Sequence, residues 1–103
     1  MEVINLDIFS TPISIESLGL DEGDIGELAE VCERASAETD GVSISNYGGW
    51  HSQPTFFHRE EDISVKTKRL IIASVAKLTQ RVAPNIQLGE LSWEGAAWIN
   101  INA

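Results

Sequence analysis

The sequence has one cysteine, three prolines and no long hydrophobic run. A single cysteine, Cys32, permits no intramolecular disulfide bond and no cysteine-based zinc site. No stretch reaches the roughly 18 consecutive apolar residues of a membrane-spanning helix, and the first residues lack the basic region of a secretory signal peptide. We therefore expect a cytoplasmic protein that does not bind a membrane.

Lysine and arginine are also scarce. The sequence has 7 basic and 16 acidic residues, which give a formal net charge of −9. Such a charge repels phosphates, so the sequence predicts no nucleic-acid partner. Residues 1–62 hold 14 acidic and 2 basic side chains, whereas residues 63–103 hold 2 acidic and 5 basic ones. We expect the basic part to lie against acidic parts of the same chain. The alternative is a small anionic ligand held by one or more of the basic residues Lys66, Lys68, Arg69, Lys77 and Arg81.

The residues that are present suffice for one folded unit. The chain has 103 residues, of which 43% are hydrophobic and 22% charged. This size and composition are typical of a single globular domain, which we place at residues 1–103. No internal repeat, low-complexity stretch or linker divides the chain.

Two segments show the apolar spacing of amphipathic helices. The first runs from Asp21, a candidate cap, to about Glu38. Its predicted apolar face consists of Ile25, Leu28, Ala29, Cys32, Ala35 and Ser36. The second runs from about Glu60 to Ala83 and stops before Pro84. Its predicted apolar face consists of Ile63, Leu70, Ile71, Val75, Leu78 and Val82.

Four segments alternate apolar and polar residues as strands do. They are residues 3–9, 13–15, 42–45 and 91–102. Pro12 cannot donate to a ladder, so residues 13–15 are predicted to form an edge strand. The sequence thus predicts an α+β fold in which two helices pack on a small, mainly antiparallel sheet. Because no turn, charge or cap follows Ile101, we expect the last strand to pair with a second copy, or the domain to be incomplete at its C-terminus.

The segment between the third predicted strand and the second predicted helix has an unusual composition. Gly48, Gly49, Trp50, both histidines and two phenylalanines fall within residues 48–60. The glycine pair permits a positive φ and a close backbone approach, and the aromatic side chains offer a large apolar area for burial. We expect a loop that its aromatic residues hold against the core.

Three pieces of the sequence resemble one protein family. They are Asn46-Tyr47-Gly48-Gly49-Trp50-His51-Ser52, residues 8–13 before it and residues 98–102 after it. In this order they resemble the front half of a family of 2-oxoglutarate/Fe(II)-dependent oxygenases found in marine bacteria and cyanophages. The resemblance spans nearly the whole chain. It implies that the predicted sheet is the front part of a double-stranded β-helix, or jelly roll.

The resemblance also implies an iron centre of two histidines and one carboxylate, with open positions for 2-oxoglutarate and O₂. In the family these ligands follow the strand that resembles residues 98–101, and no histidine follows His58 in this sequence. We therefore expect Fe(II) and 2-oxoglutarate only in a full-length relative. His51, His58 and Glu60 are weak candidates for an iron site of the chain's own, because His58 and Glu60 would diverge by about 200° on a helix.

Two functions are therefore expected. The first is a non-catalytic N-terminal portion of a 2-oxoglutarate/Fe(II)-dependent oxygenase that lacks the metal-binding strands. The alternative is a small homodimeric interaction or structural module of phage or marine-microbe origin, with the terminal strand as its interface.

Overall fold

A computed structural model describes residues 3, 11–42, 48–87, 89 and 95–102 of the chain. The elements along these residues are helix α1 (Glu22–Glu38), strand β1 (Trp50–His51), a short 3-10 helix (Phe56–His58), helix α2 (Asp62–Val82) and strand β2 (Asn100–Ile101). The prediction of an α+β fold with two helices and a small antiparallel sheet is confirmed. Of the predicted strands, residues 4–9, 43–45 and 91–94 lie outside the described residues.

Helix α1 begins where the sequence predicts, because Asp21 caps it. The Asp24 N–H donates to the Asp21 carboxylate at 2.7 Å, and the Asp21 N–H donates to the Asp24 carboxylate at 3.2 Å. This reciprocal arrangement satisfies two backbone donors at the start of the helix, which has no earlier turn to supply acceptors.

The predicted apolar face of α1 is confirmed at Leu28, Cys32 and Ala35 and is wrong at Ile25 and Ala29, which are exposed. Val31 and Ala35 are buried, whereas Ile25 in the first turn is 56% exposed. The core contacts α1 at Leu28, Cys32 and Ala35, so Ile25 lies outside the contact region. Cys32 is half-buried, and burial raises the pKa of its thiol.

Helix α2 lies within the predicted limits of residues 60–83. Its last turn closes when the Ala83 N–H donates to the Thr79 carbonyl at 2.8 Å, directly before Pro84. Pro84 has no backbone N–H, so a helix that continued through it would lose one backbone hydrogen bond. None of the helices formed by the described residues combines the length and the apolarity needed to cross a membrane.

Two small polar residues, Ser64 and Thr67, are buried on α2, although the apolar spacing did not include them. The Thr67 hydroxyl donates to the Ile63 carbonyl at 2.8 Å, and the Ser64 hydroxyl donates to the Glu61 carboxylate at 3.1 Å. Each hydroxyl therefore has a partner, which removes the main cost of its burial. By contrast, the predicted face residues Val75 and Val82 are 37% and 52% exposed.

Strands β1 and β2 pair antiparallel, with Trp50 opposite Ile101 and His51 opposite Asn100. On the other side of β1, the Val42 N–H donates to the His51 carbonyl at 2.7 Å. β1 lies in the segment that was predicted to be a loop. Its partner strand is about fifty residues away along the chain, and the two residues of β1 are too few to show an alternating pattern.

The predicted edge strand at residues 13–15 is wrong. Ile13 and Ile15 are 81% and 97% exposed and lie in no strand. The segment is held against α2 by a side chain instead: the Glu16 carboxylate accepts from Lys77 Nζ at 2.7 Å and from the Ser74 hydroxyl at 2.8 Å. In the described part of predicted strand 91–102, only Asn100–Ile101 is a strand.

The core is formed by Ala35 of α1, Phe56 of the 3-10 helix and Ile99 before β2. Partly buried apolar side chains pack around it: Leu28, Cys32, Trp50, Phe57, Ala97 and Ile101. The prediction that aromatic residues hold the 48–60 segment against the core is confirmed, because Trp50, Phe56 and Phe57 all belong to this cluster.

Candidate functional site

The Gly-Gly-Trp-His-Ser segment forms β1 and the residues on either side of it. Gly48 has a φ of +76°, a conformation that glycine adopts without strain. The Trp50 indole N–H donates to the Thr39 carbonyl at 3.0 Å, which ties β1 to the residue that ends α1. Asn46 of the same motif lies outside the described residues.

Gly41 makes this approach possible. It has a φ of +72°, and a Cβ at this position would overlap the His51 carbonyl oxygen and lie 2.7 Å from Trp50 Nε1. Only a residue without a side chain lets the chain after α1 pass this close to β1. Gly41 cannot be recognised from the sequence as part of the site, because its contacts are with residues nine and ten positions away.

Ser52 joins the motif to the segment before β2. Its N–H donates to the Ile99 carbonyl at 2.9 Å, and its hydroxyl accepts from the Ile99 N–H at 2.8 Å. The same hydroxyl donates to the Gln53 carbonyl at 2.7 Å. Ser52 therefore extends the antiparallel pairing of β1 and β2 by one residue. In this pair the serine hydroxyl replaces the backbone carbonyl as the acceptor.

His51 lies on the face of the β1–β2 sheet opposite the core. It is half-buried, and its Nδ1 donates to the Ser52 carbonyl at 2.8 Å. Its ring stacks on that of Trp98 with 5.5 Å between centroids and 23° between planes. Trp98 is 55% exposed, so the stacked pair covers an otherwise open sheet face.

The weak iron candidates are not brought together. His51 is in β1, whereas His58 ends the 3-10 helix and is exposed, as is Glu60. Among the described residues, no three or more histidine, cysteine, aspartate or glutamate side chains are grouped so that they could hold a metal ion. The described side chains therefore do not fit the facial triad that the family resemblance implies.

A cluster of charged side chains, which was not predicted from the sequence, adjoins the motif. Arg59 Nε lies 3.0 Å from both carboxylate oxygens of Glu61, and Arg59 Nη2 lies 2.7 Å from Glu61 Oε2. Arg59 holds the pKa of Glu61 at about 2, and Glu61 raises the pKa of Arg59. A second carboxylate, Glu38 Oε2, is 3.9 Å from Arg59 Nη1. An arginine two residues before a glutamate was the only available signal, and such pairs are common on solvated surfaces.

The same elements surround a cavity of about 160 Å³. Its apolar lining consists of the core residues Ala35, Phe56 and Ile99 together with Trp50. Its charged lining is Glu38 and Arg59. Hydroxyl and amide side chains complete the wall: Thr39, Ser52, Gln53 and Thr55. No sequence pattern predicts this cavity, because its walls come from three separate stretches of chain: residues 35–39, residues 50–59 and Ile99.

The basic residues of the second half are distributed along α2 and do not form one site. Lys66 Nζ lies 2.7 Å from the Asp24 carboxylate, and Lys77 pairs with Glu16. Lys66 lowers the pKa of Asp24, as Lys77 lowers that of Glu16. These contacts confirm the expectation that basic residues lie against acidic parts of the chain.

The other basic residues differ in environment. Lys68 Nζ donates to the Phe57 carbonyl at 3.2 Å and lies 5.8 Å from the centre of the Phe57 ring. Arg69 and Arg81 are exposed and line two different open grooves, one with Lys66 and one with Lys77. The five cations therefore do not meet at one place on this helix, so they do not form a single site for an anionic ligand.

The candidate site is thus the region where the motif, the end of α1 and the segment before β2 meet. Comparisons of the chain with models of protein families, with curated proteins and with solved structures found no match.

Proposed function

We propose that this chain is the helical N-terminal portion of a 2-oxoglutarate/Fe(II)-dependent oxygenase of jelly-roll fold. In this proposal it has a structural role: it presents the first pair of strands on two helices and contributes no iron ligands. The protein acts in the cytoplasm. The proposal rests on the sequence resemblance and on one structural observation.

The observation is the pairing of the two motif segments that carry the resemblance. Trp50 lies opposite Ile101, and His51 lies opposite Asn100. A chance likeness of two short stretches about fifty residues apart gives no reason for them to be neighbours in a sheet. A shared fold does, because paired strands constrain each other's side chains and register.

Three of the described motif residues help to place the strand pair, each through its own chemistry. Gly48 supplies the positive φ before β1, the Trp50 indole fixes β1 to the end of α1, and Ser52 holds the Ile99 backbone. These contacts fix the place of a two-stranded sheet, and such a sheet needs further strands or a helix against it for stability.

The experiment has a genetic and a biochemical arm. We expect the reading frame to continue past codon 103 into a glycine turn and a histidine-containing strand, and a stop codon directly after codon 103 contradicts the proposal. We also expect the purified 103-residue chain to form no succinate from 2-oxoglutarate with Fe(II) and O₂. Turnover by this chain would show that it holds a complete iron site and would overturn the structural role.

A second candidate is a homodimer that forms through the edge of β2 that no strand of the described residues covers. The His51 carbonyl faces Val42 and not β2, so His51 and Asn100 form a pair without mutual hydrogen bonds. The N–H and carbonyl of Asn100 then point away from β1. Asn100 is exposed, and this outward edge can accept a strand from a second copy.

Analytical ultracentrifugation of Asn100→Pro and Asn100→Ala tests the homodimer. Proline removes the outward N–H and leaves the β1 ladder intact, whereas alanine keeps that N–H and removes only the side chain. The dimer hypothesis expects a concentration-dependent dimer for the unchanged chain and for Asn100→Ala, and a monomer for Asn100→Pro. A monomer at all concentrations for the unchanged chain excludes this interface.

A further inference from the structure

We propose that the cavity between α1, β1 and the 3-10 helix binds a small zwitterion, a free α-amino acid with an aliphatic side chain. The site is independent of the proposed oxygenase relation, because all of its walls belong to the described residues of this chain.

The size and lining of the cavity set the first limits on a ligand. Its volume of about 160 Å³ admits a small organic molecule and excludes a large one. Ala35, Phe56 and Ile99 form an apolar wall and are each at most 8% exposed. An aliphatic side chain of about four carbons fits this volume against the apolar wall, and the polar groups of the opposite wall remain for the charged end of the ligand.

The charged groups at the cavity set the second limit. Arg59 uses Nε and Nη2 on Glu61, and no hydrogen bond from Nη1 to a described residue is present. Glu38 Oε2 lies 3.9 Å from Nη1, which is beyond hydrogen-bonding distance. The Arg59 guanidinium edge and the Glu38 carboxylate therefore form an ion pair that has no hydrogen bond between its two members.

This pair matches the two charges of an α-amino acid. The ligand carboxylate would accept from Arg59 Nη1, and the ligand ammonium would donate to Glu38. The side chain of Glu38 is 59% exposed, so it can turn to admit the ammonium group. A ligand with only one charge would leave either the arginine edge or the glutamate without a partner, which is the basis of the expected selectivity.

Isothermal titration calorimetry with three probes tests the proposal. They are L-leucine, 4-methylpentanoate, which lacks the ammonium group, and 3-methylbutylamine, which lacks the carboxylate. We expect L-leucine to bind about tenfold more tightly than either analogue, the effect of one charge-assisted hydrogen bond. Equal affinities for the three compounds, or no heat from L-leucine up to about 10 mM, overturn the proposal.

Two glutamate variants on the same helix give the matched control. Glu38 lines the cavity, whereas Glu33 is exposed on α1 and lines a separate surface groove. We expect Glu38→Gln to weaken L-leucine binding about tenfold and Glu33→Gln to leave it unchanged. Both substitutions remove one negative charge from an exposed carboxylate, and circular dichroism checks that both variants fold. An equal effect of the two variants shows that only net charge matters and contradicts the site.

Discussion

Ser52 and Ile99 are joined by two hydrogen bonds, as in an ordinary antiparallel ladder, but one of the four groups involved is a side chain. The Ser52 N–H donates to the Ile99 carbonyl at 2.9 Å, and the Ile99 N–H donates to the Ser52 hydroxyl at 2.8 Å. An ordinary ladder would use the Ser52 carbonyl as the second acceptor. That carbonyl accepts from His51 Nδ1 instead, so the serine hydroxyl frees a backbone oxygen to orient the histidine ring.

The first prediction concerns this hydroxyl. Ser52→Ala leaves the N–H of Ile99, a buried residue, without its acceptor. We expect the free energy of unfolding to fall by about 1–3 kcal/mol, the cost of an unsatisfied buried donor. Urea denaturation followed by circular dichroism measures the change. Ser14→Ala, at an exposed position with no hydrogen bond to a described residue, is the control and should change stability by less than about 0.5 kcal/mol.

The second prediction compares two glycines with nearly the same backbone conformation. Gly41 and Gly19 have φ values of +72° and +75°. An added Cβ has open space at Gly19, but at Gly41 it meets the His51 carbonyl and Trp50. Both alanine variants lose about 1–2 kcal/mol to the left-handed conformation, and Gly41→Ala loses about 1–3 kcal/mol more through overlap.

Thermal and urea unfolding of the two glycine variants measure this difference. Equal stability of Gly41→Ala and Gly19→Ala would mean that the chain after α1 does not pass closely over β1. In that case the contact between Trp50 and Thr39 would also need to be revised.

The third prediction is a pH dependence. Arg59 lowers the pKa of Glu61 from 4.5 to about 2 in the folded chain. Because the folded pKa is below the unfolded one, the stabilising contribution is complete above about pH 4.5 and is lost as the pH falls toward 2. We expect Glu61→Gln to be less stable than the unchanged chain at pH 7, with the difference shrinking steadily across this acidic range.

Urea midpoints between pH 7 and pH 2 measure this dependence. Glu60→Gln is the matched control, since Glu60 is the exposed neighbour of Glu61 and lies outside the ion pair with Arg59. A stability difference between the unchanged chain and Glu61→Gln that stays constant with pH would contradict the assignment.

The helices could be predicted from the sequence because their signals are local. The apolar spacing, the Asp21 cap and Pro84 lie within a few residues of the structure they determine. Strand β1 could not be predicted, because its two residues pair with a distant segment and show no alternation of their own. The alternation of Ile13 and Ile15 was misleading, since no neighbouring strand among the described residues covers them.

The candidate site was predicted in part. The unusual composition of residues 48–60 indicated the right region, and its aromatic residues do pack on the core. The cavity and the Arg59–Glu38 pair were missed because they depend on how α1, β1 and the 3-10 helix meet. Such a meeting of distant stretches follows from tertiary packing, which local spacing does not encode.

The pairing of β1 with β2 in its exact register is the observation on which the proposed function depends. Nuclear Overhauser spectroscopy of the labelled chain measures it directly, because the Cα atoms of a pair without mutual hydrogen bonds lie roughly 4.5 Å apart. We predict a strong contact between the Hα atoms of His51 and Asn100. A strong contact of the His51 Hα with Ile99 or Ile101 instead, or with neither strand, would contradict the pairing and the proposal built on it.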